Sequence, residues 1–188
     1  GKMVSGLDAD LFRSDVKLNE LAELAVELGD DVVSVLETDA TPEEKMARLE
    51  ETEAGREFMD AFDEVKDPWF HISYGDGLHS ADGSWIDDLE APFDHLQTKL
   101  DRLERGEEIG RDLERIRAER NELVDEYRSY LDTEAEREQF NQAFETCLGI
   151  YEYAEDHQFW IEHWLHTEIF AKMREFGQLA ENQGLLDD

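Results

Sequence analysis

Residues 155–170, EDHQFWIEHWLHTEIF, gather His157, His163 and His166 with Trp160, Trp164, Phe159, Phe170 and four carboxylates. Imidazoles set among indoles suit three kinds of chemistry: holding a transition metal, lining a semi-polar cavity, or sitting hydrogen-bonded in a core. The metal spacings are not met. H-E-x-x-H needs a glutamate directly after the first histidine, and Trp164 follows His163. H-x-x-E-H fails because four residues separate His157 from Glu162. The Glu-x-x-His pair of di-iron bundles fails because Leu165 and Gln158 stand three places after Glu162 and Glu155. A cavity and a core both remain open. The core version turns Trp160, Trp164, Ile169, Phe170 and Met173 inward and Glu155, Glu162 and Glu168 toward water.

A second stretch has the same character. Residues 67–92, DPWFHISYGDGLHSADGSWIDDLEAP, carry Trp69, His71, Tyr74, His79 and Trp85, with Gly75 and Gly77 between them. They show no helical period, and a loop this long in a compact domain is usually functional. Stacking faces and titratable donors make it either one wall of a small-molecule site or an aromatic anchor on a bundle. No phosphate-binding G-x-x-x-x-G-K-[ST], dinucleotide G-x-G-x-x-G or nucleophile G-x-S-x-G occurs. The chain therefore holds no autonomous catalytic residues in this reading, and no metal ligands.

The elements that must position these residues are helices. Leu18, Leu21, Ala22, Ala25 and Leu28 recur on one face and stop at Gly29. Thr41-Pro42-Glu43-Glu44 offers an N-cap, a proline at the first helical position and a capping-box glutamate. A helix over about 53–65 turns Phe58, Phe62 and Val65 inward. After Pro92, Phe93, Leu96, Leu100 and Leu103 make a stripe that ends at Gly106. Ile109, Leu113, Ile116, Leu123, Tyr127 and Leu131 make a longer one, with Asp101–Arg105 and Glu107–Arg111 as pairs one turn apart. Thr133 and Glu136 form a second capping box, opening a helical region to about 182–184 that is too long for one ordinary helix, so a break near Gly149 is expected. The class is all-α, an irregular multi-helix bundle with one long aromatic and glycine-rich loop. Along the chain it reads as an N-terminal helical segment (1–66), the loop (67–92) and a long-helix bundle (93–188), packed as one compact domain.

Charge sets further bounds. Fifty acidic residues face 18 basic ones among 188, a net of −32, while 40% of the chain is hydrophobic. Periodic apolar residues argue for a fold with an acidic surface rather than for disorder. Twelve of the basic residues are arginine and six are lysine. A carboxylate-rich, lysine-poor surface fits work in concentrated salt, where counterions screen self-repulsion. Nucleic acid and anionic membranes are excluded as partners, because both need basic stripes. Cys147 is the single cysteine, so an intrachain disulfide is excluded, and its spacing from Phe140 and Phe144 reads as core. No leader and no membrane-length apolar run is read, giving a cytoplasmic expectation.

Together GREFMDAFDEV, SYGDG, SWIDDLEAP, ERGEEI, RAERNELVDEYRSYL and the closing YAEDHQFWIEHWLHTEIFAKMREFGQLAENQGLLDD resemble phosphoenolpyruvate-utilising phosphotransferases. The group is the pyruvate, water dikinase-like one that includes rifampin phosphotransferase, and the resemblance covers about residues 30–188. It points to the helical segment between the ATP-grasp and swivelling phosphohistidine domains. The resemblance implies a segment that helps to bind the phosphoryl acceptor, a small molecule. Trp69, His71, Tyr74, His79, Trp85, His157, Trp160, His163, Trp164 and His166 are the candidates to line that site. It also implies ATP and Mg on other domains only, and ATP-grasp and phosphohistidine domains as partners, in cis or as separate subunits. None of the six histidines stands in a phosphohistidine context, and Tyr74-Gly75 is followed by Asp76-Gly77 where a Gly-His-Arg-like triplet is usual. An isolated chain of this kind is not catalytic. The alternatives are a stand-alone acidic interaction module that binds a protein through its aromatic loop, and a metal-dependent enzyme.

Overall fold

The computed structural model describes residues 2–74 and 83–185. Among them the chain is all-α, and pairing of extended backbone is limited to one antiparallel bridge, Ser73–Ser84. The chain divides into two compact units, Arg13–Ile109 with Phe159–Asp188, and Gly1–Phe12 with Gly110–Gln158.

The first of these has a dense core. It is built from α1 (Arg13–Leu28), α2 (Asp30–Leu36), α3 (Pro42–Leu49), α4 (Glu53–Trp69) and α5 (Glu90–Glu104). The stripes read from the sequence turn inward: Leu18, Leu21, Ala22 and Ala25 from α1, Phe58 and Phe62 from α4, and Phe93, Leu96 and Leu100 from α5 are buried. Phe62 lies 5.1 Å from Phe93 and 5.4 Å from Phe70, centroid to centroid. The capping box at α3 forms: Thr41 Oγ1 accepts from the Glu44 N–H at 3.4 Å, and the Thr41 N–H donates to Glu44 Oε2 at 3.3 Å. Thr52 caps α4 in the same way, accepting from Gly55 N–H at 2.9 Å. Gly55 packs so closely on α3 that a Cβ there would stand 1.9 Å from Leu49 O. Among the described residues two lysines, Lys45 and Lys99, are inside. Lys99 donates to Asp15 Oδ1 and Asn19 Oδ1, both at 2.6 Å, tying α5 to α1. Lys45 donates to Leu36 O at 2.9 Å, and burial, partly offset by Asp94 and Asp39, pulls its pKa below the usual lysine value.

Near Pro68 the helix loosens, because Asp67, the residue before the proline, leaves the helical region (φ −112°, ψ 119°). Helical turns nevertheless carry on to Trp69, and α5 begins at Glu90, so the irregular segment is shorter than 67–92. Ile109 belongs to this core rather than to the stripe that follows: Gly106 turns the chain with φ 69°, and the next helix starts only at Leu113. Arg105 pairs with Glu107 at 2.9 Å rather than with Asp101, because the helix has ended and the chain has turned.

The second unit is built differently. It holds α6 (Leu113–Ser129), α7 (Glu134–His157) and the N-terminal segment with its short 3₁₀ turns Lys2–Val4 and Asp10–Phe12. Backbone carbonyls of that segment accept from α6: Arg117 Nε donates to Gly6 O at 2.9 Å and Arg120 Nη1 to Ser5 O at 3.2 Å. The Arg111 guanidinium lies 3.8 Å from the Phe12 ring centroid instead of pairing with Glu107. The Thr133–Glu136 capping box opens α7, and Arg128 forks onto Asn141 Oδ1 at 2.9 and 2.7 Å. Val124 is the buried residue of α6, and α7 buries none. Cys147 is accordingly exposed, not a core residue: its spacing from Phe140 and Phe144 marks a face that no element of this unit covers fully.

The helix passes through Gly149 without a break. A glycine costs a helix only about 1 kcal/mol, and nothing crowds this one. The irregularity comes later, where Gln158–Leu165 is wound as a π-helix before α8 (His166–Asn182) resumes. No helix among the described residues is long and apolar enough to cross a membrane.

Candidate functional site

The two stretches singled out by their chemistry meet within the Phe-rich unit. One wall is the chain leaving α4: Trp69, Phe70, His71 and Ser73, with Phe70, His71 and Ser73 buried. Its return strand is held by Tyr74 N–H to Gly83 O at 3.1 Å and Trp85 N–H to Ile72 O at 3.0 Å. The opposite wall is the π segment and the first turn of α8. Residues four apart, Phe159, His163 and Thr167, are its buried face, so the inward stripe is not the one through Trp160, Trp164, Ile169 and Met173. Ile169 and Met173 are 45% and 60% exposed. Only the first stripe hydrogen-bonds to His71 and Ser73, whose polar groups need partners once buried.

Hydrogen bonding fixes the roles of the rings. Ser73 N–H donates to His163 Nδ1 at 3.3 Å, and Ser73 Oγ lies 2.9 Å from the same atom. A backbone N–H can only donate, so Nδ1 accepts and the neutral ring carries its proton on Nε2. Burial lowers the pKa of His163, helped by nearby His166 and opposed by Glu162. Protonation would destroy the acceptor that Ser73 uses. The other pair is complementary. Thr167 Oγ1 donates to Trp164 O at 2.9 Å, which leaves it to accept from His71 Nδ1 at 2.9 Å. Glu168 Oε1 and Asp67 Oδ1 approach the two nitrogens of His71, each at 3.5 Å.

Rings complete the walls. Trp69 stacks on Phe159 at 5.2 Å, Trp160 meets Phe159 at 5.0 Å, and Trp164 stands 6.1 Å from His71. Trp164 Nε1 is buried without a hydrogen-bond partner. The π winding is covered by its own side chains, since His166 Nδ1 donates to Glu162 O at 3.1 Å while Thr167 takes Trp164 O. Such π segments are rare and frequent at functional sites.

Of the ten candidate residues, Trp69, His71, Trp160, His163 and Trp164 come together here. Trp85 turns the other way, toward Phe70 at 6.3 Å and His95 at 5.1 Å. Tyr74 reaches Asp88 O at 3.3 Å, and burial beside Asp88 and Glu90 raises its pKa. The His166 ring serves its own helix. His157 is exposed and belongs to the unit containing α7, 6.2 Å from Tyr153. His79 lies outside the described residues. Ser73, Thr167 and Phe159 were not anticipated; the four-residue spacing with His163 was the one signal for Phe159 and Thr167, and Ser73 had none. Among the described residues no group of three or more His, Cys, Asp or Glu is placed to hold a metal ion.

Comparison of the chain with protein-family models, with curated proteins and with solved structures finds no match in any of the three.

Proposed function

We propose that this chain is the acceptor-binding helical segment of a dikinase-type phosphotransferase adapted to high salt, inactive by itself and serving ATP-grasp and phosphohistidine domains in cis or as subunits. The observation that carries the reading is convergence: the two stretches that the resemblance singles out, far apart in the chain, are joined by the Ser73–His163 and His71–Thr167 hydrogen bonds. In this reading Trp69, Trp160 and Trp164 supply apolar walls for a small-molecule acceptor. His163 Nε2–H and Trp164 Nε1–H supply donors that orient it. ATP and Mg act elsewhere. Burial of Lys45 and Lys99 supports the high-salt part, because it makes the acidic surface poorer still in lysine.

The test uses the assembled phosphotransferase, following phosphate from ATP to the carrier histidine and then to acceptor. Trp160→Ala and His163→Asn are expected to cut acceptor phosphorylation by at least tenfold while histidine phosphorylation proceeds. Normal acceptor turnover in both variants would sink the proposal.

A further inference from the structure

The exposed side of α8 has no role in the site just described. Ile169, Met173, Phe176 and Leu179 follow one another at spacings of four, three and three, which sets them along one face of the helix. They are 45%, 60%, 74% and 59% exposed, and Leu185 just beyond the helix is 73% exposed. A shallow groove of about 460 Å³ runs between Glu168, Ile169, Lys172, Met173 and Phe176. A contiguous apolar stripe of this kind, on an otherwise charged surface, marks an interaction face.

Charge decides what covers it. The whole chain carries −32, yet α8 holds three acidic and two basic residues, a net of −1. Its cations are already paired at the rim of the stripe, Lys172 with Glu175 at 2.9 Å and Arg174 with Asp87 at 2.8 Å. An apolar centre within a rim of satisfied charges is the anatomy of a protein interface. A basic partner would be drawn to the acidic faces and gains nothing from this neutral one. Two copies of the chain repel one another over most of their surfaces, and this near-neutral face is one on which they can meet.

We infer that the Ile169–Leu179 face of α8 pairs with the same face of a second copy of this chain, forming a two-fold dimer. The contact is isologous, each Phe176 lying against the partner copy's α8 stripe. Its driving force is apolar, and its opponent is the mutual repulsion of two polyanions. The dimer therefore strengthens as salt screens that repulsion, the reverse of an association held by ion pairs. A stripe only a few residues long gives an interface at the small, transient end of the range, so association is concentration-dependent.

Sedimentation equilibrium of the whole chain, at rising protein concentration and from low to molar salt, tests this. The expected result is a mass that climbs toward twice that of the chain as salt rises, with Phe176→Glu and Met173→Glu variants at the single-chain mass throughout. Both sites are exposed, and circular dichroism confirms that the variants keep wild-type helix content. A Tyr153→Glu variant, at a residue 70% exposed on α7, is expected to dimerise like the wild type. The inference is overturned if the wild type stays monomeric in molar salt, or if its dimer weakens as salt rises. It is also overturned if the α8 variants dimerise normally, or if Tyr153→Glu abolishes the dimer as they do.

Discussion

The two units are both built from helices and are stabilised by opposite means. In the unit with α1–α5, helices are held by what they bury: Phe58, Phe62, Phe70, Phe93 and Phe159 are all fully inside. In the unit with α6 and α7, a helix of 24 residues buries no side chain, and order comes from caps and from arginines donating to backbone carbonyls and to Asn141. A hydrogen bond contributes about 1 kcal/mol when neutral and about 1.5–3 when one partner is charged, whereas truncating a buried Phe costs about 3–5. The candidate site stands on the densely packed unit, where its rings can be held in fixed relation.

Substitutions can break or sharpen this contrast. The largest loss is expected from Phe62→Ala, which empties the centre of the aromatic core and should cost about 3–5 kcal/mol in denaturant unfolding followed in high salt. Next comes Thr133→Ala at the start of α7, at about 1 kcal/mol, read as faster amide exchange in the first turns of that helix. Truncating an apolar residue of the same helix, Tyr153→Ala, should cost under about 0.5 kcal/mol, since that ring is 70% exposed. In the α7 unit, then, a cap outweighs an aromatic ring, and in the Phe-rich unit the order reverses. Equal costs for Phe62→Ala and Tyr153→Ala would remove the distinction.

Acid acts on the site through His163. Burial holds its folded pKa below the ordinary 6.5, so the unfolded chain takes up the proton more readily. Stability from this group is fully present above about pH 6.5 and is lost as pH falls through the lower, folded value. Asparagine can present Oδ1 where Nδ1 stood and does not titrate. His163→Asn should therefore flatten the stability profile between neutral and mildly acid pH, while α7 exchange is unchanged. An identical slope in wild type and variant would assign the pH dependence to other groups.

How much was legible in the sequence follows the same divide between local and distant effects. Both capping boxes, the stop at Gly29 and the Phe58–Phe62 face were readable because their signals lie within a turn or two of chain. The short helix α2 was not, since Val32, Val33 and Val35 carry a β-branched pattern that tertiary burial overrides. In the π segment two stripes one residue apart compete, each with residues four apart, and hydrophobicity favoured the indoles of Trp160 and Trp164. The winner was settled by Ser73 and His71, 90 and 96 positions away from His163 and Thr167. Single serines and threonines carry no signal for such a pairing. Cys147 shows the converse failure: its spacing was right for a buried face, but α7 has none.

The joining of loop and π segment into one site is tested most directly by a double-mutant cycle on Ser73 and His163. Ser73→Ala, His163→Phe and the double variant would be compared by denaturant unfolding at neutral pH in high salt. The structure predicts a coupling energy of about 1 kcal/mol, with the double variant losing less than the sum of the single ones. Additive losses, within about 0.3 kcal/mol, would mean that the two residues do not meet, and the site would have to be dismantled.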